Sequence, residues 1–266
     1  MQYTPHGSDP TALEEAVEIY NEQGALWISG LFDRGFVEAM AARYQRKYAS
    51  RSEATLREKH AMVGDRRYMI SVDVKAEFNS PALYANPSVM SVLSRLLGEH
   101  FVISSFGSVL AFPGADAQPV HCDYPPLYPN PEICVGLPPH AITLVVPLVD
   151  IDETTGGTAM WLGTHRQPNA GEELERLSQS ESIEGAVCLQ PKMGDAFLMD
   201  YRLIHAGSAN RSNETRPIMY IVYSRPWFRE DLNFKEQLPI KITKKQFKKV
   251  PKSLRYLFAS ARLSHS

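Results

Sequence analysis

His121, Cys122 and Asp123 set an imidazole and a carboxylate two positions apart. On an extended chain, residues i and i+2 project to the same face, so both could grip one metal ion. Such a tripeptide also arises by chance, and its plainer reading is a polar strand end. Downstream, LIHAGSANRSNETRPIMYIVYSRPWF places His205 at the end of an apolar stretch, then a turn rich in Asn, Ser and Gly, then Arg216 opening another apolar run. Two histidines and one carboxylate on a single face of a metal leave coordination positions open, the arrangement of non-haem Fe(II) oxygenases. Those positions can take a bidentate 2-oxo acid and then O2. Arg216 offers a planar, two-pronged donor that stays charged, which suits the far carboxylate of 2-oxoglutarate. Alternation along RPIMYIVYS puts Arg216, Ile218, Tyr220 and Val222 on one face, the interior of a barrel in this reading.

The elements that must position these side chains change in texture along the chain. Thr11 to Gln23 reads as a helix with Leu13, Ala16, Val17 and Tyr20 at helical spacing, capped by Asp9 or Thr11 and stopped by Gly24. ALWISG follows as a short strand. Asp33 can cap a second helix carrying Phe36, Val37, Met40 and Tyr44, which fades into the charged stretch from Arg46 to Lys59. A third helix runs from Pro87 to Gly98 behind an Asn86 cap. From Phe101 to Phe228 the chain turns to β-rich runs (FVISSFGSVLAF, AITLVVPLV, AVCLQ, DAFLMD, RPIMYIVYS) punctuated by Gly, Pro and Asn. Helices first and strands later point to a mainly β antiparallel sandwich or barrel with flanking helices and argue against a doubly wound parallel sheet. A single domain over 1–266 is expected: a helical N-terminal part to about 100, a β core to about 228 and a helical tail beyond. Tyr124 to His140 carries six prolines and no period, and reads as a lid or binding loop starting directly after Asp123.

With these pieces together, the chain resembles the phytanoyl-CoA hydroxylase-like family of Fe(II) and 2-oxoglutarate dependent oxygenases. The resemblance begins at NEQGALWISGLF and extends to Arg216 and the strand that follows. The family pattern is HxD, a distal His and an Arg about eleven positions beyond it, a spacing that 205 and 216 reproduce. GGTAMWLGTHR resembles the family's turn between the HxD and the distal His, with Leu162 in place of the usual Pro and Thr164 in place of Ser. The resemblance implies a double-stranded β-helix (a jelly-roll, cupin-like core), with His121, Asp123 and His205 as iron ligands and Arg216 as the clamp on 2-oxoglutarate. It also implies that Gln118, three before the first ligand, and Thr158, seven before His165, hydrogen-bond the co-substrate, as in related natural-product enzymes. The implied reaction consumes O2, releases succinate and CO2, and hydroxylates, desaturates, cyclises or epoxidises a small organic substrate. Related halogenases have a small residue where Asp123 stands, so halogenation is disfavoured.

Other side chains receive plainer assignments. Tyr124, Phe106, Trp161 and Tyr223 are candidates to line a substrate pocket, although aromatics in a β-rich core usually pack. Cys122 should point away from its neighbours as a buried, inert thiol. His165 reads as a structural hydrogen bonder, His140 follows two prolines in the proposed lid, and His6, His60, His100 and His265 have no partner at metal spacing. The net charge of -2 and pI near 6.5 create no field for nucleic acid or an anionic membrane, so a small molecule is the expected partner; oligomeric state is left open. Three cysteines without CxxC spacing, no long apolar run and no signal-peptide pattern at the N-terminus predict a cytoplasmic location. Two rivals remain: a non-catalytic metal-binding sensor or scaffold of the same fold, and a demethylase docking through the basic stretch from Lys241 to Arg255. That stretch holds seven basic residues in fifteen positions, with Thr243 and Gln246 forming a capping box.

Overall fold

Alternating apolar runs can bury one face only by pairing, and in the second half of the chain each predicted run does so. The computed structural model describes residues 2–3, 10–180, 183–230 and 240–265. Among them the strands are β1 (Gln2–Tyr3), β2 (Ala25–Ile28), β3 (Ala61–Met62), β4 (Arg67–Ser71), β5 (Val102–Ala111), β6 (Ala141–Pro147), β7 (Thr158–Met160), β8 (Val187–Leu189), β9 (Ala196–Asp200), β10 (His205–Gly207) and β11 (Arg216–Ser224). An eight-stranded sheet runs β1-β2-β9-β6-β11-β5-β4-β3 and a three-stranded sheet runs β10-β7-β8. Every pairing is antiparallel except β1 with β2. The segment after β5 extends the smaller sheet: Gln118 N–H donates to Gly207 O, and His121 and His205 exchange both backbone hydrogen bonds. The two sheets form a jelly-roll of the cupin-like kind, with a cavity between them.

The helices cover the outer face of the large sheet. Helix Pro10–Gln23 ends at Gly24, whose φ of +75° only glycine adopts without strain. Of its two expected caps, Asp9 lies outside the described residues and Thr11 lies within the helix. Asp33 caps helix Arg34–Tyr44 by accepting from Phe36 N–H, and Asn86 caps helix Pro87–Leu97 by accepting from Ser88 N–H. Their apolar stripes, including Val37, Met40, Tyr44, Val89, Val92 and Leu93, enter the main core with Leu26, Ile28, Leu144 and Ile221. Thr143, on β6, faces the opposite side, toward the cavity.

Three expectations change. The charged stretch after Tyr44 does not fade: it continues as a π-turn over Gln45–Ala49 and a helix over Glu53–Lys59 capped by Ser52. The mainly helical N-terminal part carries, besides the expected strand at ALWISG, a hairpin of β3 and β4 whose second strand is buried along its full length. The proline-rich loop contains the short helix Pro131–Gly136, started by Asn130 accepting from Glu132 N–H with proline at the first helical position. At the C-terminal end, Thr243 accepts from Gln246 N–H to cap helix Lys244–Phe247, and Leu257 and Phe258 are buried in the core. Lys244, Lys245, Lys248 and Lys249 are exposed, as a solvated face requires.

Candidate metal centre and co-substrate pocket

His121 and Asp123 lie on the segment that pairs with β10, and His205 is the first residue of β10, so the backbone bridge between 121 and 205 brings the three side chains together. One donor atom from each lies within 4.8 Å of the others. His121 Nδ1 is 2.7 Å from Pro119 O and His205 Nδ1 is 3.0 Å from Leu203 O. A carbonyl only accepts, so each Nδ1 carries the proton and each Nε2 presents its lone pair. His205 Nε2 lies 3.6 Å from Asp123 Oδ1, a gap that a shared ion would bridge. Thr143 Oγ1 donates to Asp123 Oδ2 at 3.3 Å and orients the carboxyl.

The electrostatics fit a cation. Burial, then the neighbouring His205, pushes His121 down to about 4, and burial lowers His205 as well, so both imidazoles are neutral at pH 7, the form that can bind a metal ion. Burial raises the Asp123 carboxyl, only partly offset by His121. A divalent ion would compensate the carboxylate that burial disfavours. Two imidazoles and one carboxylate match the donor set of a non-haem iron site with open positions.

A cavity of about 510 Å³ opens beside the triad, a size typical of small-molecule sites. Arg216, Ile218, Tyr220 and Val222 all line it, so the parity read from β11 holds. Gln118 and Thr158 line it too. Register places a further cation level with Arg216: Ala111 of β5 is opposite Arg67 of β4 on one side and Arg216 of β11 on the other. The two arginines therefore stand level, two strand spacings apart, and both donate to Ser208 O. Arg67 Nη2 also donates to Asp116 O, and Arg216 Nη1 to Gly156 O. Burial pushes Arg67 down to about 10, and burial with Arg67's charge pushes Arg216 down to about 9, so both remain cationic at pH 7. Arg67 Nε and Nη1 and Arg216 Nε are buried without a hydrogen-bond partner. Buried cations with unmet N–H groups call for an anion, and the far carboxylate of a dicarboxylate supplies one. Gly207 leaves room for this corner: a Cβ there would meet Gln118 Oε1 at 2.5 Å and Arg67 Nη1 at 2.8 Å.

The four aromatic candidates for the substrate pocket lie elsewhere, which corrects the sequence reading. Phe106 and Tyr223 belong to the main core, with Tyr223 donating to Tyr84 O at 2.8 Å. Phe106 follows the cavity-facing Ser105 and so faces the other way, and a bulge between Val222 and Tyr223 interrupts the register there. Trp161 packs with Leu177 and Ile204 and donates to Glu184 O. Tyr124 packs on Phe228 with ring centroids 4.9 Å apart. Cys122 packs against the Trp161 cluster, its Sγ 3.3 Å from Arg202 O, and burial pushes its thiol up to about 12. His165 is buried and contacts Asn21 O through Nε2. Sequence reasoning missed Thr143, Tyr201 and Glu230 as cavity residues, and Arg67 as the buried cation beside Arg216. For Arg67 a signal existed, since RYMIS is a short β-prone run, but it sat inside a stretch read as helical.

A family model described as Phytanoyl-CoA dioxygenase (PhyH) matches residues 20–218, most of the chain. The chain belongs to the phytanoyl-CoA dioxygenase family. Iron and 2-oxoglutarate are the cofactors of that family, and the His121, Asp123, His205 cluster is a potential metal site for it. Dioxygenase af480 from Aspergillus fumigatus is 25% identical over 158 residues, covering 59% of this chain and 48% of that protein. The chain thus spans about half the length of this relative. The fold is shared with solved structures. The α-ketoglutarate dependent epimerase SnoN from nogalamycin biosynthesis superposes with a TM-score of 0.59 at 20% identity, covering 82% of each chain. HygX from Streptomyces hygroscopicus, with nickel, 2-oxoglutarate and hygromycin B bound, gives a TM-score of 0.62 at 17% identity, covering 81% of this chain and 88% of its own. No helix among the described residues is long and apolar enough to cross a membrane.

Proposed function

We propose that this phytanoyl-CoA dioxygenase family member is an Fe(II)- and 2-oxoglutarate-dependent dioxygenase acting on a C–H bond of a small organic substrate. The observation that carries the reading is one cavity holding both a convergent His–Asp–His donor set and the buried guanidinium of Arg216, with the buried Arg67 level with it behind the wall and both arginines keeping unpartnered N–H donors. In this reading His121, Asp123 and His205 hold the metal. Arg216 and Arg67 neutralise the far carboxylate of 2-oxoglutarate, and Gln118 and Thr158 hydrogen-bond the co-substrate from the smaller sheet. Bound iron with 2-oxoglutarate and O2 supplies the oxidant for C–H cleavage. The balance is one substrate C–H, one 2-oxoglutarate and one O2 giving a C–OH, succinate and CO2, and desaturation, ring closure or epoxidation differ in how the substrate is held. The protein orients the reactants and excludes water, with Ile218 and Val222 forming an apolar wall beside the metal ligands.

SnoN and HygX, as their names record, act in nogalamycin biosynthesis and bind hygromycin B. We place the substrate of this chain in the same broad class of natural-product intermediates on that likeness of fold, together with Gln118 and Thr158. Asp123 fills the carboxylate position, which disfavours halogenation. Anaerobic protein given Fe(II) and 2-oxoglutarate should develop the weak visible charge-transfer band of a bound 2-oxo acid, and succinate should form when O2 and substrate are added. Absence of both would defeat the reading. Binding of Ni(II) without binding of 2-oxoglutarate would favour a sensor or scaffold instead.

A further inference from the structure

The cavity has a second polar end that the proposed cofactors do not use. Arg216 opens β11, and Tyr220 lies four residues along it, roughly 13 Å by strand rise. Gly107, opposite Tyr220 on β5, makes room for the phenol, since a Cβ there would meet the Tyr220 hydroxyl at 2.5 Å. Past the end of β11 the chain returns to the cavity wall with Glu230, which is only 6% exposed. Tyr201 donates its hydroxyl to Glu230 Oε2 at 3.1 Å. Among the described residues no Arg, Lys or His pairs with Glu230, whereas the other deeply buried carboxylate, Asp200, is paired with Arg202 at 2.8 Å. Arg216 lies at the opposite end of the cavity, with Arg67 level with it, and the dioxygenase reading assigns that end to the co-substrate. A carboxylate walled off from water without a cation is costly, and a ligand that carries the cation removes the cost.

We propose that Glu230, held by Tyr201, is a specificity residue that receives a protonated amine of the substrate at the end of the cavity away from Arg67 and Arg216. Burial and the charge of Asp123 push its carboxyl up to about 7, and a cation seated beside it would hold it ionised. The inference rests on the dioxygenase reading, because that reading assigns the arginine end to 2-oxoglutarate. It predicts a substrate class, small amine-bearing organic molecules, and disfavours substrates that bring an anion to this end of the cavity, which would leave Glu230 without a cation.

The test uses wild-type protein loaded with Ni(II) and 2-oxoglutarate. Titration of those two groups comes first, and failure at that step overturns the dioxygenase reading rather than this one. A library of small aliphatic, aromatic and amino-sugar amines, each paired with its N-acetyl derivative, is then screened by ligand-observed NMR, with binders titrated by calorimetry. Amines should bind about tenfold or more tightly than their N-acetyl partners, the scale of a charge-assisted hydrogen bond. Glu230→Gln, checked for folding by circular dichroism, should lose that preference. An absence of amine binders, equal binding of the N-acetyl partners, or a preference that persists in Glu230→Gln overturns the proposal. Should Glu230→Gln fail to fold, the wild-type amine to N-acetyl ratio decides alone.

Discussion

Gly207→Ala adds one methyl group to the corner where Gln118 and Arg67 meet. Gly207 has strand backbone that alanine adopts without strain, so the perturbation is steric alone. The new Cβ would lie 2.5 Å from Gln118 Oε1 and 2.8 Å from Arg67 Nη1, and both must retreat by about 1 Å to reach ordinary contact. Neither is free to do so without loss. Gln118 Nε2 is held by Val63 O at 2.9 Å, and Arg67 Nη2 by Asp116 O and Ser208 O at 2.9 Å each. If these head groups serve 2-oxoglutarate, displacing one forfeits a charge-assisted hydrogen bond worth about 1.5–3 kcal/mol, or roughly tenfold to hundredfold in affinity. The metal ligands keep their backbone bridge. Calorimetric titration of 2-oxoglutarate into Ni(II)-loaded Gly207→Ala should therefore show a Kd raised by that factor, with Ni(II) affinity close to wild type. A 2-oxoglutarate Kd within twofold of wild type would refute the assignment of Gln118 and Arg67 to the co-substrate.

Asp123→Ala should weaken Ni(II) binding by about a hundredfold or more and abolish succinate formation, and full turnover without added halide would show that Asp123 is not a ligand. His140 is 2% exposed among Tyr124, Tyr201 and Phe228, with both ring nitrogens unpartnered and burial pushing it down to about 4. Because the unfolded chain takes up this proton first, the His140 contribution is fully present above pH 6.5 and is lost as pH falls toward 4. His140→Phe should therefore gain about 2 kcal/mol relative to wild type on going from pH 7.5 to pH 5, read from urea melts at the two pH values. Arg202 pairs with the fully buried Asp200 and donates to Cys134 O and Leu137 O, latching the helix of the proline-rich loop to the body. Arg202→Met should cost about 3–5 kcal/mol by leaving Asp200 unpaired, and should speed proteolytic cleavage within 124–140; a loop as resistant as wild type would refute the latch.

What the sequence determined by itself was local. HxD on an extended segment, His205 before a turn, and Arg216 opening an apolar strand are patterns of near neighbours, and strand alternation alone placed Arg216, Ile218, Tyr220 and Val222 on one face. Caps worked for the same reason, since Asp33, Asn86 and Thr243 act within three residues of themselves. Residue type misled for Phe106 and Tyr223: aromatic character suggested a pocket, while their parity, opposite to that of the cavity-facing Ser105 and Val222, turns them into the core. The tertiary structure alone decided which distant residues share a site. Arg67 joins Arg216 because both register against Ala111 from opposite sides, and no local pattern encodes a pairing between strands so far apart in the chain. Glu230 lies beyond the last strand in a stretch without period, and only the return of the chain to the cavity wall beside Tyr201 makes it a buried carboxylate. Three-dimensional register thus converted a legible His–Asp–His motif into a cavity with a buried arginine at one end and a buried carboxyl at the other.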